Sequence, residues 1–298
     1  MAEQTLEWQY FEPKYEYEQS FFDLGWPWSG HKYFAYDLIR NIEPNLVVEL
    51  GTLRGTSLFS ISQAIKDEKL SANIYAVDTW KGDEHTGYYN NEVWKSVNEI
   101  KRKYYKDLNI HLVRSTFDEA IVNFEDKSID VLHIDGLHTY EAVKHDFENW
   151  LQKVHNNGII LFHDINVGEA DFGVYKLWDE LKRKYITVEF TQSFGLGVLF
   201  KNKAMGETFA KYNKKWQMHY SYINELNKNV YITNSETIIR NLNLDISNLN
   251  KINTKNSREI ITLTSENEKR EQIIRTIRSA KFFKVWQIIS KFKKNVGL

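Results

Sequence analysis

Val47-Val48-Glu49-Leu50-Gly51-Thr52-Leu53-Arg54-Gly55-Thr56-Ser57 decides how this chain folds. A short apolar run ends in an acid, breaks at a glycine and leads into a helix. Glycine admits positive φ and lets another group approach the backbone closely. A strand, a glycine turn and a helix begin a parallel β–α–β unit, and the open end of such a sheet binds nucleotide-like ligands.

The same rhythm continues downstream. Apolar runs at Leu46–Leu50, Ile74–Val77, Ile110–Val113, Ile129–Ile134 and Ile159–Phe162 are bounded by Gly, Asp, Asn or Ser. Each is short enough for a buried parallel strand. Two later strands are predicted at Ile186–Phe190 and Leu196–Phe200. Helices are predicted over residues 31–43, Tyr140–Val154 and Val174–Lys184. The second places Val143, Phe147, Trp150, Leu151 and Val154 on one face, with Thr139 as N-cap and Asn157-Gly158 as stop. The third has Asp171 near its start. Alternating strands and helices give an α/β fold, a mostly parallel sheet covered on both faces.

Composition sets the bounds. The 298 residues suit one large domain with an appendage. With 42% apolar and 14% aromatic residues, a sizeable core can be buried. The absence of cysteine removes disulfides, thiolate metal sites and cysteine nucleophiles. The acidic, aromatic N-terminus MAEQTLEWQYFEPKYEYEQ is unlike a secretory leader, and no apolar stretch reaches the length of a membrane span. A cytoplasmic location is therefore expected. A net charge of −1 gives no case for nucleic acid as partner. Three segments follow: an aromatic lead-in over 1–30 that ends in Gly25-Trp26-Pro27-Trp28-Ser29-Gly30, a domain over 31–204, and a helical tail over 205–298.

In the tail, Gly and Pro almost vanish. A heptad frame from Ile239 puts Ile239, Leu242, Ile246, Leu249, Ile260, Leu263, Ile274, Ile277 and Ile288 at a and d. Asn253, Asn256, Asn267, Arg270, Lys281 and Lys284 interrupt it, so nine of fifteen positions are apolar. Arg275–Leu298 holds seven Lys or Arg and no acid. The favoured reading is a helix that packs on the domain or dimerises, with solvated lysines; the other is peripheral contact with an anionic inner membrane. A homo-oligomer is expected.

The ligand's charge follows from the first turn. A dinucleotide fold places Gly-x-Gly-x-x-Gly there to receive a pyrophosphate. This chain has Glu-x-Gly-x-x-x-Gly, and a carboxylate at a strand end suits a cation. S-adenosylmethionine (SAM) carries a sulfonium and an ammonium. The expected SAM site comprises Glu49, Gly51, Thr52, Gly55, Thr56 and Ser57, with Asp135 from the end of the fourth strand. Asp78, ending the second strand, is placed to accept hydrogen bonds from ribose hydroxyls. Thr79 and Trp80 open the polar and aromatic segment 78–89, which would cover SAM and line the acceptor pocket. Ser115, after the third strand, is placed to contact adenine. The competing reading makes Glu49 a plain strand end, Gly51 a plain turn and 78–89 an ordinary loop.

The fourth and fifth strands end in His133-Ile134-Asp135-Gly136-Leu137-His138 and Leu161-Phe162-His163-Asp164. Asp135 and Asp164 would project together, and two carboxylates suit a hard ion such as Mg²⁺. Such an ion could bind an acceptor hydroxyl and lower its pKa. His138 is the candidate general base. His163 reads as a third metal ligand or an orienting group. His133 reads as structural, and His31, His111, His145, His155 and His219 carry no role. The competing reading has Asp135 capping a loop, Asp164 binding amides and His138 on an ordinary surface loop.

From Pro27-Trp28-Ser29-Gly30-His31 to about Phe200 the chain resembles bacterial class I SAM-dependent methyltransferases of the Methyltransf_24 group. VVELGTLRGTS, YAVDTWKGD, LHIDGLHTYEAVKHDFENW and GIILFHDI carry the resemblance. It implies a Rossmann-like, seven-stranded sheet with one antiparallel strand, on which SAM lies. Such proteins often accompany glycosyltransferases of surface polysaccharide synthesis, and wider kin are metal-dependent O-methyltransferases of catechols and macrolide sugars. Similarity to these supports Asp135 and Asp164 as metal ligands and makes Asp135 and His138 look like a metal and base pair. Catechol-type enzymes have Asn after the second Asp; this chain has Ile165. The expected function is O-methylation of a sugar hydroxyl in a surface glycan or its precursor. The alternatives are a non-catalytic glycan-assembly module and a nicotinamide-dependent oxidoreductase.

Overall fold

The computed structural model describes residues 7–17 and 27–295; Gly25 and Trp26 of the expected turn lie outside them. A short 3₁₀ turn (Pro27–His31) leads into α1 (Lys32–Ile42), β1 (Leu46–Leu50), α2 (Thr56–Glu68) and β2 (Asn73–Asp78). A small hairpin of β3 (Gly82–Asp83) and β4 (Gly87–Tyr88) precedes α3 (Glu92–Tyr104) and β5 (Asn109–Arg114). Then come α4 (Phe117–Ala120), β6 (Ile129–Ile134), α5 (Tyr140–Trp150) and β7 (Val154–His163). The series closes with α6 (Val174–Leu181), β8 (Ile186–Phe190), β9 (Leu196–Phe200), α7 (Lys203–Ala210) and α8 (Asn213–Asn295).

Seven strands form one sheet in the order β5-β2-β1-β6-β7-β9-β8. β9 runs antiparallel to both neighbours, and the other pairings are parallel. This is the Rossmann-like, seven-stranded, mostly parallel arrangement expected from the sequence. The chain starts mid-sheet at β1, winds outward to β5, then returns to β6 on the other side. The order therefore reverses between β1 and β6, and a crevice opens at that reversal. Alternate strand residues feed two cores. Val47, Ile74 and Val131 pack on one face, and Val48, Val77 and Leu132 on the other.

Two expected helix ends move. Val154 opens β7 instead of ending α5, and Asn157-Gly158 lies inside that strand. β7 pairs with β6 first at Ile129↔Val154 and next at Val131↔Ile159, so its extra residues bulge from the ladder. A buried valine at helical spacing looks the same whether it ends a helix or begins a strand. α6 stops at Leu181 and has Gly173 as its N-cap. Asp171 pairs with His85 instead.

The aromatic lead-in packs inward. The Trp8 ring meets Phe34, Phe209 and Trp216, and its Nε1 donates to the Tyr220 hydroxyl at 3.1 Å. Tyr220 in turn donates to Asp37 at 2.6 Å, and burial raises the Asp37 carboxyl to about 7. The texture change at residue 205 thus falls within one compact unit, Met1–Tyr231; Ile232–Leu298 forms a second. Among the described residues, no helix is long and apolar enough to cross a membrane.

Gly51 fixes where the crevice lies. Its φ is +89°, its N–H donates to the Val77 carbonyl at 2.9 Å, and Asp135 N–H donates to the Leu50 carbonyl at 2.8 Å. A Cβ on Gly51 would stand 2.0 Å from the Asp135 carbonyl oxygen. Gly51→Ala is expected to lower stability by about 2 kcal/mol or more. Urea unfolding checks this; an unchanged midpoint would show that β1 and β6 do not meet so tightly.

Candidate functional site

A cavity of about 380 Å³ opens at the carboxyl ends of the central strands. That falls in the range of small-molecule sites, roughly 300–1,000 Å³. The turn from Gly51 to Arg54, with Thr56 and Ser57, makes one wall. Asp78, Thr79, Gly82 and Asp83 make the second, Thr116 and Phe117 the third. Asp135, His138, His163 and Asp164 close the far end.

Asp78 braces the first wall. One carboxylate oxygen accepts from the Thr52 and Leu53 amides, each at 2.9 Å, and the other from the Trp80 amide at 2.6 Å. A carboxylate offers about four acceptor positions. With three taken, one remains for a ligand hydroxyl. Trp80 is not on the wall; it is buried, and its indole N–H donates to the Leu53 carbonyl at 3.1 Å, holding the turn from behind. Gly55 is also off the wall, at the N-cap of α2 with φ +84°, where a Cβ would strike the Phe59 ring.

Two further expectations are corrected. Glu49 does not line the cavity; it is fully buried. It accepts from Thr52 Oγ1 at 2.8 Å, from Ser57 Oγ, and from His133 Nδ1 at 3.1 Å. The Trp28 indole donates to the other nitrogen of His133 at 2.9 Å, so the hydrogen of that ring sits on Nδ1. The Glu49 charge is thus used by the protein itself, not offered to a cationic ligand. Ser115 is likewise absent from the wall, its hydroxyl donating to the Thr116 carbonyl at 3.0 Å. β5 ends at Arg114, and a capping box between Thr116 and Glu119 turns the chain so that Thr116 and Phe117 face the cavity.

At the far end the expected residues converge. His138 Nε2 lies 2.8 Å from Asp164 and 3.5 Å from Asp135. His163 Nδ1 lies 3.2 Å from Asp164 and 3.3 Å from Asp135, while its Nε2 donates to the Ser193 carbonyl at 3.2 Å. Burial opposes charge on both rings, but the two carboxylates outweigh it. They raise His163 to about 10 and His138 to about 9. The imidazolium charges in turn hold both aspartates below the usual carboxylate range, against the effect of burial.

The donor set fits a divalent cation. Ligand atoms of Asp135, His138 and Asp164 lie within 4.8 Å of one another. Asp164 Oδ1 is buried without a hydrogen-bond partner, and Asp164 has φ +60°. His163 is not in this group; its Nε2 donates to the Ser193 carbonyl and its Nδ1 faces both aspartates. Ile165 is buried apolar surface and offers no ligand.

Sequence reasoning missed a stack of rings above His138. Phe172 lies parallel to His138 at 4.8 Å between centroids and to His85 at 4.5 Å. His85 Nδ1 is 3.3 Å from His138 Nδ1, and His85 Nε2 is 2.7 Å from Asp171. His85 lay inside the segment singled out after β2, but the partners are 53 and 86 residues away. No local pattern announces such a contact.

Residues 48–165 match the family Methyltransf_24, a methyltransferase domain. An uncharacterized protein of Sinorhizobium fredii is 41% identical over 190 residues, 64% of this chain and 21% of its own length. An uncharacterized protein of Acanthamoeba polyphaga mimivirus is 31% identical over 122 residues, 39% of this chain and 50% of its own. The chain thus spans about a fifth and a half of these two relatives. Similar solved structures include a Geobacter sulfurreducens methyltransferase (16% identity, TM-score 0.44, 57% of this chain and 78% of that one). Another is an SAH-bound methyltransferase of Podospora anserina (14%, 0.44, 61% and 88%). A third is the O-methyltransferase TomG of Streptomyces achromogenes with SAM (10%, 0.43, 63% and 91%).

The charged histidines make stability depend on pH. Their folded pKa values, about 10 and about 9, exceed the unfolded value of roughly 6.5. The contribution is complete below that unfolded value and is lost as pH rises through the folded ones. With a chelator present, the denaturant midpoint is expected to fall from about pH 6.5 to about pH 10, and His163→Gln should flatten that decline. A level wild-type profile would show that His163 is neutral in the folded protein.

Proposed function

We propose that this chain is a SAM-dependent O-methyltransferase, assisted by a divalent cation, that acts on a sugar hydroxyl of a surface polysaccharide or its precursor. One observation carries the reading. The glycine turn after β1 with Asp78, and the cluster of Asp135, His138 and Asp164, face each other across a single cavity. The match of residues 48–165 to a methyltransferase domain supports it.

Bound SAM would supply an electrophilic methyl on its sulfonium. The backbone from Gly51 to Arg54 would support it, with the last acceptor position of Asp78 for a ribose hydroxyl and the Phe117 ring beside the base. Asp135 and Asp164 would hold the cation, and the Asp164 oxygen without a partner is the natural first ligand. The cation would polarise the acceptor hydroxyl and, by repulsion, favour the neutral form of His138. His138 Nε2 would then take the hydroxyl proton as the acceptor oxygen displaces S-adenosylhomocysteine from the methyl carbon. His163 stays outside the chemistry and keeps both carboxylates ionised and oriented. Two carboxylates, with water completing the shell, suit Mg²⁺. The sugar acceptor follows from the resemblance of Asp135-Gly136-Leu137-His138 to sugar-modifying enzymes.

Isothermal titration with S-adenosylhomocysteine, with and without Mg²⁺, tests the cofactor. Micromolar binding is expected for wild type and a clear loss for Asp78→Ala; no binding under any condition would sink the proposal. Where methyl transfer to a sugar nucleotide is then found, His138→Ala should lower kcat by roughly 10²–10⁴-fold and leave cofactor affinity unchanged.

A further inference from the structure

Among the described residues, none of the second unit, Ile232–Leu298, lines the cavity, and an apolar stripe stands exposed along its helix. Along residues 239–277 the a and d side chains of Ile and Leu stand 48% to 63% exposed. A surface helix of a folded protein normally hides such residues. The helix is also rich in Asn, Thr and Ile, which favour helix weakly, and a helix of that composition owes its stability to packing.

The identity of the residues says what covers the stripe. Every apolar a position in this stretch is isoleucine: Ile239, Ile246, Ile260 and Ile274. The apolar d positions are Leu242, Leu249, Leu263 and Ile277. β-Branched residues at a with leucine at d select two parallel strands, because of how each side chain enters the facing hole. The polar interruptions point the same way. Asn253 and Asn267 both fall at a, two heptads apart. An asparagine at a is tolerated when it meets the same asparagine of an identical helix in register, where the two amides hydrogen-bond. A different partner would have to supply matching amides at the same spacing. Asn256 and Arg270 at d weaken the seam, and Lys281 and Lys284 end it.

We infer that residues 239–277 form a parallel, in-register, two-stranded coiled coil with a second copy of this chain. The inference does not depend on the proposed chemistry.

The full-length protein provides its own test, since it has no cysteine and any introduced thiol is unique. Sedimentation equilibrium should give twice the chain mass, and Leu242→Glu with Leu249→Glu should give the monomer with thermal unfolding of the first unit unchanged. Asn253→Cys and Asn267→Cys, made singly, should each cross-link into a covalent dimer on mild oxidation. Ser265→Cys, at an outward f position, should not. A monomeric wild type, or a dimer that survives the double variant, would overturn the inference. So would cross-linking at only one a position, because an antiparallel pair brings only one level of the helix opposite itself.

Discussion

Everything in the cavity depends on how closely β1 and β6 meet at their carboxyl ends. Leu50 accepts the amide of Asp135, and the α-carbon of Gly51 lies against the Asp135 carbonyl. A side chain at Gly51 would push the two strand ends apart and with them the two halves of the site. The positive φ of Gly51 then turns the chain sharply into α2, so the wall for one ligand begins where the ligand set for the other ends. The reversal of strand order supplies the crevice. Gly51 sets its width.

An acid at the end of β1 invites a reading as a ligand for positive charge, and the structure gives it a different task. A buried carboxylate is costly unless its lone pairs are met. Glu49 meets them with hydroxyls from both ends of the turn, Thr52 and Ser57, and with His133 on the neighbouring strand. Trp28 completes the line from outside the sheet. The turn is thus pulled down onto the strand it leaves, while Asp78 holds its amides from the other side. Two carboxylates grip one loop, and only Asp78 also reaches the cavity. Both would look alike in any pattern of strand ends.

The sheet was legible because its signal is local. Leu46–Leu50, Ile129–Ile134, Ile186–Phe190 and Leu196–Phe200 stand where the apolar runs put them. So was the meeting of Asp135, His138 and Asp164, since parallel strands deliver their ends to one edge. What failed was side-chain direction within a turn. Ser115 and Thr116 are equally small and polar, and only the capping box decides which one faces inward. What was missed was distance in sequence. Phe172 reaches His138 because residues 139 and 172 form an isolated bridge, and Gly173 N–H donates to the His138 carbonyl at 2.7 Å. The start of α8 was likewise hidden, because Trp216 and Tyr220 are buried amid lysine and asparagine.

The loop between β8 and β9 shows how far the site's support extends beyond its motifs. Ser193, Phe194 and Gly195 have φ of +48°, +69° and +91° in succession. For the two that are not glycine, this conformation costs about 1–3 kcal/mol each. The bend aims the Ser193 carbonyl at two buried imidazoles, His31 Nε2 at 3.1 Å and His163 Nε2 at 3.2 Å. Because a carbonyl only accepts, both nitrogens must carry hydrogen. Burial, and then the charge on His163, push His31 down to about 3, so His31 stays neutral. His163 is left with Nε2 committed to the loop and Nδ1 turned to Asp135 and Asp164. Gly30 allows this approach, for a Cβ there would stand 1.9 Å from Ser193 Oγ. The one antiparallel strand of the sheet thus does more than close an edge. The hairpin it makes with β8 carries the carbonyl that fixes which face His163 shows to the two aspartates, whose charge this imidazole balances.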